Sequence, residues 1–262
     1  DGANNSYCDL LFYVNASKTI EEPNDRPVIT PDDGNEPEKP DVTETKTGTL
    51  AFEDIWPGGG DYDMNDVIVE YNRAVSFDKK NQVTKIVDTF TPVHDGAVFA
   101  NAFAYQVDKG QFGKMTFSAT TEGIHTESAT SSIIVCPNVK QAIQKVYTIT
   151  REFTGGSFNK KDLKSYNPYI IVKYAEGQKG RTEVHLPKHE ATSLADLSLA
   201  GTQKDAYYID KEGAYPFAID IPILNFISVT EKKSIDTEYP NFKAWADSKG
   251  EKYTDWYNNH VN

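Results

Sequence analysis

From Thr49 onward, short apolar runs broken by polar positions dominate, the pattern of strands half-buried on a pleated surface. The pattern predicts strands over 48–54, 66–77, 83–91, 99–107, 114–121, 132–136, 144–153, 168–175, 181–186 and 216–221. Gly, Asn, Asp or Pro punctuate many of the gaps. VIVEYNRAVSF and QVTKIVDTFTPV, joined by DKKNQ, predict an antiparallel hairpin. YIIVKYAEGQKGRTEVHL predicts a second, with Gly177 and Gly180 free to take positive φ in the turn. Helical periodicity is sparse. The best helix is 236–248, which puts Phe242 and Trp245 on one face and ends near Gly250; a shorter one is expected over 190–198. Many strands and little helix predict an all-β fold: an antiparallel β-sandwich with jelly-roll-like packing and one or two short helices.

The pattern changes before Thr49. Residues 15–44 are rich in Pro, Asp and Glu and poor in apolar groups, so they read as an acidic linker that cannot offset its ordering entropy by burial. Ahead of it, the run CDLLFYV (8–14) reads as a lone strand or the tail of a preceding related unit. Setting Asp9 against Asp66 aligns 4–14 with 61–71, and Asn4, Ser6 and Cys8 then stand where Asp61, Asp63 and Asn65 stand. The echo predicts a turn and strand in 4–14 that binds no metal. The main domain is expected over 45–262.

Composition narrows the function classes. The 262 residues carry 39 acidic against 27 basic side chains, a net charge of −12, so phosphate backbones are repelled and nucleic acid is not an expected partner. Cations become more plausible ligands. Two cysteines, Cys8 and Cys136, make no disulfide framework, and no run is apolar and long enough for a transmembrane helix. The chain starts at Asp1 rather than Met, which fits removal of an export signal.

The densest chemistry is AFEDIWPGGGDYDMNDVIVEY (51–71). Crowded carboxylates repel unless a metal, a lysine or water sits among them. Asp61, Asp63 and Asn65 alternate oxygen ligands along a tight turn, as calcium requires, and Gly58, Gly59 and Gly60 let the backbone curl. The loop is not an EF-hand, because Asp66 and Asn72 occupy the positions of its Gly and Glu and a strand follows instead of a helix. Further ligands must come from elsewhere: Glu53, Asp54, Asp95 and Asn101 are the candidates. The competing account is a solvated β-turn in which Asp and Asn bond their own backbone. We expect one calcium ion held by Asp61, Asp63, Asn65 and Asp66 with Glu53 or Asp54; Asp66 has the alternative of bonding the amides of the glycine loop.

This stretch resembles the signature of the LruC-domain family, roughly Phe-Glu-Asp-[Leu/Ile]-Trp-Pro followed by Gly-Asp-Tyr-Asp-Phe-Asn-Asp and an apolar strand. Met64 stands in place of the usual Phe. The resemblance continues through NPYIIV (167–172), GRTEVHLP (180–187), YPFAIDIP (215–222) and FKAWADSKGEKYTDWY (242–257), and so spans about 45–262. It implies an envelope or exported domain of unknown function from Gram-negative bacteria, often behind a lipoprotein-type signal, with an acidic motif similar to that of a neighbouring family given a calcium role. It implies no reaction.

Catalytic signatures are lacking. There is no H-E-x-x-H, G-x-S-x-G elbow, P-loop or G-x-G-x-x-G after a strand, and TGGSFN (154–159) reads as a turn. In HLPKH, Pro187 forbids the helix that would bring His185 and His189 to one face; His185 is expected to alternate with Glu183 along a strand in a structural role. Carboxylate pairs able to flank a sugar occur in any chain so acidic and decide nothing. Trp56 and Trp245 are expected in the core, whereas Trp256 with Tyr257 is the aromatic pair to watch for surface binding. The expected function is therefore a non-catalytic envelope or secreted module, for adhesion, glycan contact or surface assembly, with a calcium-braced loop and a glycan or envelope protein as partner. The alternative is a carboxylate-dependent polysaccharide hydrolase.

Overall fold

The computed structural model describes residues 42–58, 60–153, 158–164, 166–177, 180–201, 207–212 and 214–261. The expected strand and metal-free turn in 4–14, Cys8 and most of the linker lie outside the described residues. The chain divides into two units at Glu38/Lys39, and every described residue belongs to the second.

In chain order the elements are β1 (Val42–Phe52), β2 (Val67–Phe77), β3 (Val83–His94), β4 (Ala102–Gln106), α1 (Lys109–Phe112), β5 (Thr116–Ala119), β6 (His125–Glu127), β7 (Ser132–Cys136), β8 (Tyr147–Glu152), β9 (Asn167–Ile171), β10 (Glu183–His185), β11 (Ala218–Ile221) and α2 (Phe242–Asp247). They form a six-stranded sheet, β11-β1-β2-β3-β8-β5, and a five-stranded sheet, β10-β9-β4-β7-β6. Every strand pairing is antiparallel, and both expected hairpins, β2–β3 and β9–β10, form. This is an all-β sandwich.

The period of two explains the layers. Val67, Val69, Tyr71, Phe90, Tyr147 and Ile149 point from the six-stranded sheet into a core shared with Phe103, Tyr105, Ile133, Val135, Ile170 and Val184 of the other sheet. Phe103 is the pivot, with its ring 5.1 Å from Phe90 and 6.3 Å from Phe52. Each fully buried side chain of this size contributes about 1.5–3 kcal/mol. A second core lies on the opposite face of the six-stranded sheet. There Ala51, Ile68, Ile219 and Ile221 are covered by Phe226, Val229, Ile235, Tyr239, Phe242 and Trp256 of the C-terminal segment.

Four expectations need correction. β1 starts at Val42, not 48, because VTETK pairs in register with β2 (Val42↔Phe77) although it is exposed and carries no apolar signal. The short helix over 190–198 does not form. Thr192 is held by Glu183, its N–H at 2.9 Å and its hydroxyl at 2.7 Å, and the Asp196 N–H donates to the Arg181 carbonyl at 2.8 Å, leaving only a 3-10 turn at Leu197–Leu199. The helix predicted over 236–248 shortens to α2, after a 3-10 turn at Ile235–Thr237. Trp256 is not on the surface: it is 3 % exposed and packs edge-on against Phe242 (4.8 Å) and Tyr239 (5.4 Å). Trp56 is buried as expected, and Trp245 is half-buried against the second core.

Candidate metal centre in the acidic loop

The loop between β1 and β2 is held by alternate residues. Tyr62 and Met64 both adopt positive φ (57° and 56°), a conformation that costs a residue with a Cβ about 1 kcal/mol or more. Contacts offset that cost. Tyr62 stacks on Tyr215 with centroids 5.0 Å apart, and its carbonyl accepts from the Ile235 N–H at 2.8 Å. Met64 is fully buried in the second core. With the even positions anchored, Asp61 and Asp63 fall beside Glu53, which leaves the end of β1 with its N–H on the Phe217 carbonyl.

Glu53, Asp61 and Asp63 each offer a carboxylate oxygen, and these three oxygens lie within 4.8 Å of one another. Two oxygens on opposite sides of one calcium ion, at about 2.4 Å each, would be about 4.8 Å apart, so the spacing fits a common cation. Glu53 and Asp63 are buried and Asp61 is exposed, leaving a route to solvent. Burial, reinforced by Asp66 and opposed by the Met64 N–H on Oε1 (2.5 Å), pushes the Glu53 carboxyl well above the usual range. Burial also raises Asp63, against the N–H groups of Lys232 (2.9 Å, to Oδ2) and Asn65 (3.2 Å, to Oδ1). The donor set is all oxygen, which suits calcium rather than zinc or copper. Those two N–H bonds also satisfy Asp63 as a turn residue would be satisfied without metal.

The remaining candidates, apart from the Asn65 side-chain oxygen, are engaged elsewhere. Asp66 Oδ2 accepts the Asp54 N–H at 2.7 Å. Burial, then the charge of Asp54, pushes Asp66 up to about 8. Asp54 in turn accepts from Asn101 Nδ2 at 2.7 Å, while Asn101 Oδ1 takes the Lys173 N–H at 3.1 Å. Asp95 meets Lys140 Nζ at 3.2 Å, and that ammonium also bonds the Ala97 carbonyl. Asn65 donates Nδ2 to the Val229 carbonyl at 3.2 Å, and its Oδ1 is buried against Gly96 without a hydrogen-bond partner. The acidic stretch is thus two clusters: one of three carboxylates free of any basic side-chain partner among the described contacts, and one tied by the Asp54 N–H, Asn101 and Lys140. Nothing in the local sequence marks Lys140 or the 229–232 segment as parts of this site, because they arrive from far along the chain.

His185 lies on β10, fully buried, with Nε2 2.9 Å from Glu183 and Nδ1 2.8 Å from Asn167 Oδ1.

A family model for a domain of unknown function, DUF4842, matches residues 81–257. The chain belongs to the DUF4842 family. The matched segment begins after the acidic loop, so the DUF4842 match covers the sandwich from β3 onward and leaves Glu53, Asp61 and Asp63 outside it. It is this family, and not the LruC-domain family, that the match identifies. Among solved structures, a Bacteroides ovatus protein provisionally described as a lipoprotein is similar with a TM-score of 0.60 at 17% identity, over 86% of this chain and 76% of that one. At that identity the likeness is one of fold. No curated protein matches.

Proposed function

We propose that this chain is a non-catalytic module of the cell envelope or cell exterior, for adhesion, glycan contact or surface assembly, whose β1–β2 loop is braced by one calcium ion. Glu53, Asp61 and Asp63 would hold the ion; Asn65, Asp54 and Asp66 would shape the loop around it. The observation that carries the reading is the convergence of three carboxylates, two of them buried, with no basic side chain among their described contacts. Each would have to be protonated or repel its neighbours, and a divalent cation reverses that balance. The envelope setting draws on the likeness to the Bacteroides ovatus protein provisionally described as a lipoprotein.

Calcium titration by calorimetry, with thermal melts in calcium and in chelator, tests the brace. At a hundred times the dissociation constant a ligand stabilises the fold by about 2.7 kcal/mol, which for a chain of this size is roughly 5–11 °C. Asp61→Asn, at an exposed position, is expected to abolish the shift and leave the chelated melt unchanged. If millimolar calcium neither binds nor moves the melt, the loop is a hydrogen-bonded turn and nothing more. Turnover assays on polysaccharides address the hydrolase alternative, and turnover lost with one carboxylate would replace the proposal.

A further inference from the structure

β10 is an edge strand of the five-stranded sheet, and its period of two sends Val184 into the sandwich core and Glu183 and His185 to the other face. An outward polar pair on an edge strand belongs in water, yet both side chains are buried. The chain that follows β10 folds back over them. Glu183 Oε2 accepts the Thr192 N–H at 2.9 Å and Oε1 accepts its hydroxyl at 2.7 Å, while the Glu190 carbonyl accepts from Asn167 Nδ2 at 2.8 Å. Residues 186–192 are thus a strap fastened to Glu183 and Asn167. The same two side chains hold the His185 ring, Glu183 Oε2 at Nε2 (2.9 Å) and Asn167 Oδ1 at Nδ1 (2.8 Å).

Both ring nitrogens therefore face acceptors. Gln106 Nε2 donates to the Thr130 carbonyl at 2.8 Å, which leaves its Oε1 for Asn167 Nδ2 at 3.3 Å. With Nδ2 also on the Glu190 carbonyl, turning the Asn167 amide would set oxygen against oxygen twice, so Oδ1 is the atom that His185 meets. Glu183 is held as a carboxylate by the two Thr192 bonds and by Arg181 Nε, 2.5 Å from Oε1. A neutral imidazole has one N–H and serves one acceptor; the imidazolium has two and serves both. The charges agree. Arg181 also meets the Glu127 oxygens at 2.7 and 2.8 Å, so Arg181 and a positive His185 together balance Glu127 and Glu183. Around the ring also lie Tyr169, stacked at 4.4 Å, Tyr208 at 5.3 Å, and His189 of the strap, whose own charge would oppose the ring's. Burial favours the neutral ring and Glu183 the charged one; the second acceptor, on Nδ1, decides for the charged one.

We propose that His185 is a buried imidazolium that latches the 186–192 strap onto the sheet, and that loss of its proton to solvent water as pH rises releases the strap. The neutral ring keeps one N–H and turns a lone pair on Glu183 or on Asn167. One of those side chains must then swing away, and the strap bond it holds goes with it. The ring's proton contributes stability that is complete below about 6.5, the ordinary histidine value, and is lost as pH rises through the value in the fold.

The test uses the whole isotope-labelled chain. Nitrogen–proton NMR of the histidine rings between about pH 5 and pH 9 reads the state of each ring nitrogen. His185 is expected to show two ring N–H groups at pH 7 and a titration midpoint above about 6.5. Exchange of the Thr192 amide, corrected for its intrinsic rate, is expected to speed up about tenfold across that midpoint, the factor that one lost buried bond is worth. Glu183→Gln removes the charge beside Nε2 and is expected to leave one ring N–H at pH 7 and no pH step in Thr192 exchange. If that variant does not fold, the wild-type titration decides alone. A single ring N–H in wild type at pH 7, or a midpoint below about 6.5, would overturn the imidazolium. Two ring N–H groups in Glu183→Gln at pH 7 would overturn the part given to Glu183, and Thr192 exchange unchanged across the midpoint would overturn the latch.

Discussion

Asp88→Asn is the most searching perturbation of this fold, because one carboxylate answers four donors. The substitution changes hardly any volume, so cavity terms are small. It removes the negative charge that serves two bonds from Arg73, one from Arg151 and one from Tyr105. It also turns an acceptor-only group into one that presents N–H toward a guanidinium. Leaving buried charge without its partner costs about 3–5 kcal/mol. For a chain of this size each kcal/mol moves the melting temperature by roughly 2–4 °C, giving a fall of about 6–20 °C. Urea unfolding followed by circular dichroism would report the free energy directly, with the denaturant slope unchanged if the native state stays compact. A pH series adds a second reading. Burial alone would raise the Asp88 carboxyl, but Arg73 and Arg151 outweigh it and hold it below the ordinary value. A lowered carboxyl stabilises above its unfolded value, about 3.9, and loses that contribution as pH falls through its folded value. Wild type and variant should therefore differ fully at neutral pH and converge in acid. A loss under about 1 kcal/mol at pH 7, or a gap that widens on acidification, would refute the reasoning.

Two further outcomes concern the acidic loop. Asp66, raised to about 8 by burial and by Asp54, favours the fold below its unfolded value near 4, and that contribution disappears as pH rises through about 8. Calcium-free protein should melt progressively lower between about pH 5 and pH 9, and Asp66→Asn should flatten the decline; a melt that rises over this range contradicts the assignment. Gly96→Ala would set a Cβ 2.4 Å from Asn65 Oδ1 and 3.1 Å from its carbonyl, so the loop must shift at a cost of about 1–3 kcal/mol, read by chemical denaturation. No measurable loss there would mean that Asn65 is not packed as described.

How far the sequence foretold this molecule depended on whether the deciding contacts were local. β8 and most of β3 announce themselves by alternation, and β2 by an apolar run, Val67–Val69, where both faces of the sheet are covered; the paired hairpins follow from the turns between them. β6 is three polar residues, two of them exposed, that pair with β7, and it carries no pattern to read. The 190–198 stretch has helix-forming residues, yet Glu183 captures Thr192 and holds the backbone in another course. Trp256 looked like a surface aromatic because its partners, Phe226 and Tyr239, come from a segment whose packing on the far face of a sheet leaves no periodic trace. The acid spacing at 61 and 63 was legible, but the division of the acids into two clusters was not, since Lys140 and Val229 decide it. Arg73 did carry a signal: it sits in phase with Tyr71 and Val75, at a position where an apolar residue was due.

The bond from the Lys232 N–H to Asp63 spans 169 residues, and that from Asn65 to Val229 spans 164. This gives the molecule an order of assembly. Hairpins such as β2–β3 can close as soon as their own residues are available, because short loops cost little entropy to close. The β1–β2 loop cannot take its final shape until nearly the whole chain has been synthesised, N-terminus first. A nascent or truncated chain ending before residue 229 would carry the same acids in an unformed loop, so the grouping of Glu53, Asp61 and Asp63 is a mark of completed folding.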